Sequence, residues 1–314
     1  SQDTLEKLTH SMTINNHTAV VEFVLQGSSE NSQLQGVFSA VFLLLFLMAF
    51  AENSLFLMAI CLNPSLHTPM YFFLSNLAIL DLIYISTVLP KLLENLVGKS
   101  STIIYEGCMT QVFFLSWILV NELLLLTVMA YDRYVAISQA LHYQTLLNRA
   151  LCALLSGFMW AVGGVNASVH TGLMTQLNYC GQNQIPHFMC EVPTLLLLAC
   201  GSTQLNNVII LIEDIFFGLF NFLFTMASYA FIIASILHIH SAEGKHQTFF
   251  TCSSHLLVVC MYFSTVIYTY LLPENGKVVS ILYTVVSSIL THLSTLRNKD
   301  VKEALRRVFS TFVK

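Results

Sequence analysis

The chain has 314 residues, 55% of them hydrophobic and only 10% charged, with a mean hydropathy of +0.70. A soluble domain carries about 25% charged residues, so this composition excludes a water-covered globule, and a net charge of −4 leaves no nucleic-acid footprint. The apolar residues form long runs and not alternating stretches of about 10 residues, which excludes a transmembrane barrel and leaves an all-α polytopic membrane protein.

In chain order, residues 1–35 are polar and carry no secretory-signal core, so they are expected to form an extracellular tail. Residues 1–11 read as an extension ahead of Met12, and Asn16-His17-Thr18 is a glycosylation sequon. A helical span needs about 20 predominantly apolar residues. Seven such spans follow, at 36–61, 69–92, 106–137, 150–171, 205–240, 246–271 and 277–296, the first acting as its own membrane-targeting signal. The fifth is long enough for its last turns to project into water. A second sequon, Asn166-Ala167-Ser168, falls inside the fourth span and is expected to stay unmodified. Within 298–312, Val301, Leu305, Val308 and Phe312 recur at helical spacing between Lys302, Arg306 and Arg307, the pattern of an amphipathic helix lying on the membrane. The chain thus divides into a tail (1–35), a seven-helix domain (36–297) and a cytoplasmic helix and tail (298–314).

Lys and Arg in short loops set orientation. With the N-terminus outside, Arg133, Arg149, Lys245, Arg297, Lys299, Lys302, Arg306, Arg307 and Lys314 face the cytoplasm, against Lys7, Lys91, Lys99 and Lys277 outside. Cys180, Cys190 and Cys200 then share one outside loop, with Cys108 at the outer end of the third span. That compartment permits disulfides, and four cysteines allow three pairings that the sequence alone does not separate. Cys61, Cys152, Cys252 and Cys260 lie in or at the inner ends of spans and read as packing residues.

Acids inside apolar spans are costly and default to functional hypotheses. Asp81 lies mid-span in the second helix, Glu122 in the third, and the third span closes on the adjacent pair Asp132-Arg133. Two neighbouring carboxylates would hold one sodium ion or share one proton; the alternative is a purely structural hydrogen-bonded network. Glu52 adds a third acid, either joined to Asp81 through Asn53 or simply destabilising.

Five stretches in order, HTPMYFFLSNLAILD (67–81), MAYDRYVAIS (129–138), SYAFIIASILHIHSAEGK (228–245), TCSSHLLVV (251–259) and LRNKDVKEALRRVF (296–309), resemble the olfactory (odorant) receptors, rhodopsin-like seven-helix G-protein-coupled receptors. The outside loop NYCGQNQIPHFMCEVPTLLLLAC (178–200) matches as well, and the likeness runs from about Met12 to the C-terminus.

The resemblance implies Cys108–Cys190 and Cys180–Cys200 disulfides. It implies that Asp132 restrains Arg133 at rest, that Arg133 meets a G protein on activation, and that Tyr134 and Tyr229 belong to that switch. It places Val112, Leu115, Ser116, Leu119 and Val120 of the third span, Phe216 and Phe217 of the fifth, Tyr262, Thr265, Val266 and Thr269 of the sixth and Thr284 of the seventh around an odorant pocket. That lining is mostly apolar with a few hydroxyls, suited to a small volatile oriented by one hydrogen bond. Glu213 and Asp214 leave an amine open if either faces the pocket. In the family the acids at Asp81 and Glu122 resemble a sodium site, and no other cofactor is implied. The implied partners are a volatile odorant, the stimulatory olfactory G protein, membrane lipid and a trafficking chaperone. The implied location is the plasma membrane of olfactory neuron cilia, with the N-terminus outside. A transporter would show internal repeats or helices broken mid-membrane, and an enzyme would show a nucleophile–base pair or a metal-ligand spacing; neither is present.

One segment departs from the family. The seventh span normally ends Pro-Met-Leu-Asn-Pro-Leu-Ile-Tyr, whereas this chain reads SSILTHLSTLRNKD at 287–300 and is one residue short. One deleted residue turns everything beyond it by about 100° on a helix of 3.6 residues per turn. A drifted receptor that signals weakly is therefore the second reading. Milder departures are Ser138 and Ala140, where the family has cysteine and proline, and Glu52, where it has glycine.

Overall fold

A computed structural model of the chain describes residues 22–25, 32–97, 101–180 and 183–237, with scattered positions between 249 and 306. Five helices there are long and apolar enough to cross a membrane. They are α1 (Ser32–Leu62), α2 (Pro69–Val97), α3 (Tyr105–Ser138), α4 (Arg149–Thr175) and α5 (Gln204–Leu237). The first five expected spans fall inside these helices, except for 238–240 of the fifth, which lies outside the described residues. Each helix runs past the expected apolar core by a turn or less at most ends, because backbone hydrogen bonding continues into the interface after the apolar run stops. Short three-stranded pairing aside, the described fold is all-α. The expected sixth and seventh spans and the tail helix lie outside the described residues, apart from isolated helical positions such as Cys252, Val259 and Phe263.

Local chemistry sets the helix ends. Asn63 precedes Pro64, and the residue before a proline is pushed out of the α region; it is extended at φ −121°, ψ 102°, and α1 stops there. Pro69 opens α2, where its missing N–H costs nothing. Asn148 caps α4 by accepting a hydrogen bond from the Leu151 amide at 2.9 Å. Pro90 sits inside α2 and interrupts its ladder. One turn earlier, the Thr87 carbonyl accepts a hydrogen bond from the Gln111 amide of α3 at 3.3 Å.

Helix α3 is central and packs on α2, α4 and α5. Polar side chains tie the seams where hydrocarbon gives no hydrophobic drive between helices. Asn76 of α2 accepts from Ser156 (2.7 Å) and from the Trp160 indole (2.9 Å) of α4. The Trp117 indole of α3 donates to the Trp160 carbonyl at 3.0 Å. Around these bonds lies one buried cluster of α1, α2, α3 and α4 side chains, including Phe46, Phe73, Leu80 and Leu125. A second joins Leu123, Leu126 and Ala130 of α3 to Tyr229, Ile232 and Ile236 of α5.

Part of the polar tail forms regular structure that the sequence analysis did not anticipate. Glu22–Leu25 forms a strand, β1, the middle of a three-stranded sheet with β2 (Thr102–Ile104) and β3 (Gln184–Ile185). It runs antiparallel to β2, pairing Phe23 with Ile103, and parallel to β3, pairing Leu25 with Ile185. Phe23 is fully buried among Cys108, Met174, Ile185 and Leu195 and stacks edge-on to Tyr179.

Candidate ligand site and cytoplasmic switch

The outer loop is fixed first. Cys108 is bonded to Cys190 and Cys180 to Cys200. Gln111, 4% exposed, reinforces the first bridge: its side-chain oxygen accepts from the Cys190 backbone amide at 3.1 Å while its nitrogen reaches α2. Glu191 follows and forms a reciprocal cap with Thr194 on the short helix Val192–Leu196. Burial pushes the Glu191 carboxyl up to about 7 and raises the Tyr179 hydroxyl above its ordinary range.

Below this loop, the expected pocket residues of α3 do not behave alike. Val112 and Val120 are buried, Val112 within the outer cluster under β1. Leu115 packs toward the α1–α4 core and Ser116 is half-buried. Leu119 is half exposed on the same side. On α5, Phe217 joins the cluster shared with α3, while Phe216 is 61% exposed and contacts Phe220. Tyr262, Thr265, Val266, Thr269 and Thr284, the expected far wall, lie outside the described residues, as does Asn16.

Two grooves are present among the described residues, and of the expected pocket residues only Phe217 lines either of them. One of ≈ 990 Å³ lies between α2, α3 and the small sheet, edged by Thr87, Gln111 and Phe114. The other, ≈ 380 Å³, lies between α4 and α5 and is edged by Phe158, Val162, Val165, Asn166, Glu213 and Phe217. Glu213 was left open as an amine partner. It instead pairs with His170 of α4, a 4% exposed residue, through the imidazole Nε2 and a carboxylate oxygen. An amine would have to displace that histidine. Asp214 begins a widened π-helical stretch, Asp214–Phe220, and is half-buried.

Deeper in the bundle, Asp81 is 5% exposed and Glu122 is half-buried, within electrostatic reach of each other. Among the described residues, no group of three or more His, Cys, Asp or Glu side chains is arranged to hold a metal ion. Asn53 donates to the Ala49 carbonyl at 2.8 Å. Neighbouring Glu52 has no hydrogen-bond or ion-pair partner among the described residues.

At the inner end of α3, Asp132 is buried and lies 3.7 Å from the Arg133 guanidinium. Its other oxygen accepts a 2.7 Å hydrogen bond from Tyr143, on the single helical turn Tyr143–Leu146 of the second inner loop. Burial first, then the Asp132 charge and this bond, raise the Tyr143 hydroxyl above the ordinary phenol range. Tyr134 packs against Phe231 of α5 at 6.0 Å between ring centres, and Tyr229 is 3% exposed in the α3–α5 cluster.

The sequence reading missed Tyr143, His170 and the polar join of α3 to α5. In that join Thr127 donates to Asn221 at 2.7 Å and lies 3.4 Å from Thr225. Signals were present: an asparagine inside an apolar run, and a histidine near the end of the fourth span.

A profile of the family described as Olfactory receptor matches residues 42–303. Human Olfactory receptor 13A1 is 50% identical over 306 residues, spanning 95% of this chain and 93% of that protein. Human Olfactory receptor 13G1 is 43% identical across 94% of this chain and 98% of its own length. Mouse Olfactory receptor 5AP2 is 42% identical across 95% and 96%.

Proposed function

Because this chain belongs to the olfactory receptor family, we propose that it binds a small, mostly apolar volatile in the outer half of its helix bundle. It answers by activating the stimulatory olfactory heterotrimeric G protein, which raises cAMP. The family is one of odorant-sensing, G-protein-coupled, seven-helix membrane receptors and not of enzymes. The observation that carries the finer reading is the build of α3. Its outer half is clamped by Cys108–Cys190 beside the apolar face Val112–Val120, and its inner end holds Arg133 beside Asp132 and Tyr143. A ligand that shifts α3 at one end changes the Asp132–Arg133–Tyr143 contact at the other, a two-state element of the kind that switches use. In this reading Arg133 and Tyr134 meet the G protein, with Tyr229 packed behind them.

The same reading assigns a sodium ion to Asp81 and Glu122, and sodium-dependent ligand potency that Asp81→Asn abolishes is the test. It also assigns cilia of olfactory neurons as the working location, with chaperone-aided delivery and a glycan on Asn16.

The altered end of the seventh span, 287–300, supports a second reading, a receptor of the same family that signals weakly. One paired cell assay separates the two. Surface labelling of the N-terminal tail is read beside cAMP across a panel of volatiles, for this chain and for a version with Asn-Pro-Leu-Ile-Tyr restored after Leu290. A surface-delivered chain that raises cAMP to a volatile establishes the first reading. A response only from the restored version establishes the second, and silence from both at good surface levels removes the coupling claim.

A further inference from the structure

Helix α5 does not run as one regular helix. Between two α-helical parts, Gln204–Glu213 and Asn221–Leu237, it widens into the seven-residue π stretch Asp214–Phe220. Such stretches are rare, shift the carbonyls of one turn out of register, and recur at functional sites. Asn221 closes this one. Its amide nitrogen donates to the carbonyl of Phe217 at 3.0 Å and leans toward that of Phe216 at 3.4 Å. Asn63, Asn76 and Asn121 each reach a carbonyl four residues back. Asn221 alone of these also spans the fifth, which the widened turn brings within range. Its side-chain oxygen faces the other way and accepts from Thr127 of α3. Asn221 is 8% exposed and Thr225 fully buried, while Thr127 is half-buried.

The widened stretch holds the aromatic residues Phe216, Phe217 and Phe220, and Glu213, which pairs with His170, ends the helix just above it. If the stretch relaxed to regular helix by one residue, everything outward of it would turn by about 100° relative to α3. Glu213 would leave His170, and Phe217 would leave the α3 cluster. We propose that Asn221, anchored by Thr127, is a positioning residue that locks the π stretch of α5 against α3 and so determines which odorants the pocket prefers. It touches no ligand itself. The specificity half of the proposal rests on the odorant reading above, whereas the locking half does not.

The test compares Asn221→Ala, Thr127→Val and Thr127→Ser in full-length protein in lipid nanodiscs and in cells. Thr127→Val keeps the shape, loses the hydroxyl and leaves Asn221 itself in place, so it decides the matter if Asn221→Ala folds poorly. Amide hydrogen–deuterium exchange over 214–225 is expected to speed up by about tenfold or more in the Ala and Val variants, the factor for one buried hydrogen bond. Exchange over α4 stays unchanged and Thr127→Ser matches the parent. In cells, the ratio of potencies between short and long volatiles shifts at unchanged surface level and maximal cAMP, a change that simple destabilisation does not produce. Unaltered exchange in Asn221→Ala, or a Thr127→Ser that behaves like Thr127→Val, overturns the lock. A loss of response in equal proportion for all volatiles overturns its role in preference. Faster exchange in a chain whose parent answers no volatile leaves the lock standing and faults the odorant reading.

Discussion

Placing a methyl group on Gly163 is expected to force α3 and α4 apart. A Cβ there would overlap the Asn121 amide nitrogen and stand 2.8 Å from Trp117 Cδ1, with Asn121 Cγ at 3.1 Å. Neither neighbour gives way cheaply. Asn121 is 2% exposed and donates to the Trp117 carbonyl at 2.8 Å. Trp117 is held by its bond to the Trp160 carbonyl and by an edge-on contact with the Trp160 ring at 5.3 Å. Overpacking of a tight core costs about 1–3 kcal/mol, and loosening one buried hydrogen bond about 1 more. Gly163→Ala should therefore destabilise by about 2–4 kcal/mol, a fall of about 4–16 °C in the thermal midpoint at 2–4 °C per kcal/mol. Thermal unfolding of detergent-purified protein measures this, and Asn121→Ala/Gly163→Ala is the control: removing the amide clears the worst overlap and recovers part of the loss. A single variant within about 1 °C of the parent, or a double variant no better than the single, would refute the close-packed seam.

Removing both cysteines of Cys108–Cys190 should cost about 1 kcal/mol more than removing Cys180–Cys200. Their sequence separations are 82 and 20, and the chain-entropy relation gives about 4.5 against 3.3 kcal/mol; equal losses of thermal midpoint would contradict that account. Glu191, held near 7 against an ordinary 4.5, keeps a proton in the folded loop that the unfolded chain releases, so loop stability falls as pH rises from about 4.5 to 7. Exchange protection of 186–200 should accordingly be higher at pH 5 than at pH 8, and Glu191→Gln should flatten the difference. Glu52 is half-buried in a membrane-spanning helix, where an acid at mid-membrane costs roughly 2.5–3.5 kcal/mol; Glu52→Gly should raise surface labelling several-fold, and no rise would show the acid to be accommodated. Tyr143→Phe removes a hydrogen bond to a charged oxygen, worth about 1.5–3 kcal/mol, and basal cAMP at matched surface level should climb; an unchanged baseline would detach Tyr143 from the switch.

The first five spans were legible because a bilayer imposes length and polarity on any helix that crosses it, and both leave one-dimensional traces. Asp132 and Arg133 were legible for a related reason, since charge at the edge of an apolar run is conspicuous. His170 was not: a histidine at the end of the fourth span announces a partner without saying which of the acids, Glu213 forty-three residues on or another, will face it. The π stretch was hidden for a different cause. Asp214–Phe220 has the composition of any apolar helix, and its widening is satisfied by Asn221 and Thr127, a pair brought together only by the packing of α5 on α3. Strand β1 escaped because EFVL is four residues long inside a polar tail, and its sheet partners come from two distant loops.

That strand has a consequence for how the protein is made. Glu22 emerges from the ribosome early, yet Asn183, whose amide donates to the Glu22 carbonyl, lies 161 residues later. Strand β1 must wait while the four helices α1 to α4 are made behind it. Only when the loop after α4 has been made can Phe23 drop between Tyr105 and Tyr179 and the middle strand find its second neighbour. Pairings so distant in sequence close slowly, and until then the face of β1 that Phe23 and Leu25 bury stays bare. The small sheet therefore closes only after the loop beyond α4 has been made, although its middle strand is translated 161 residues before Asn183.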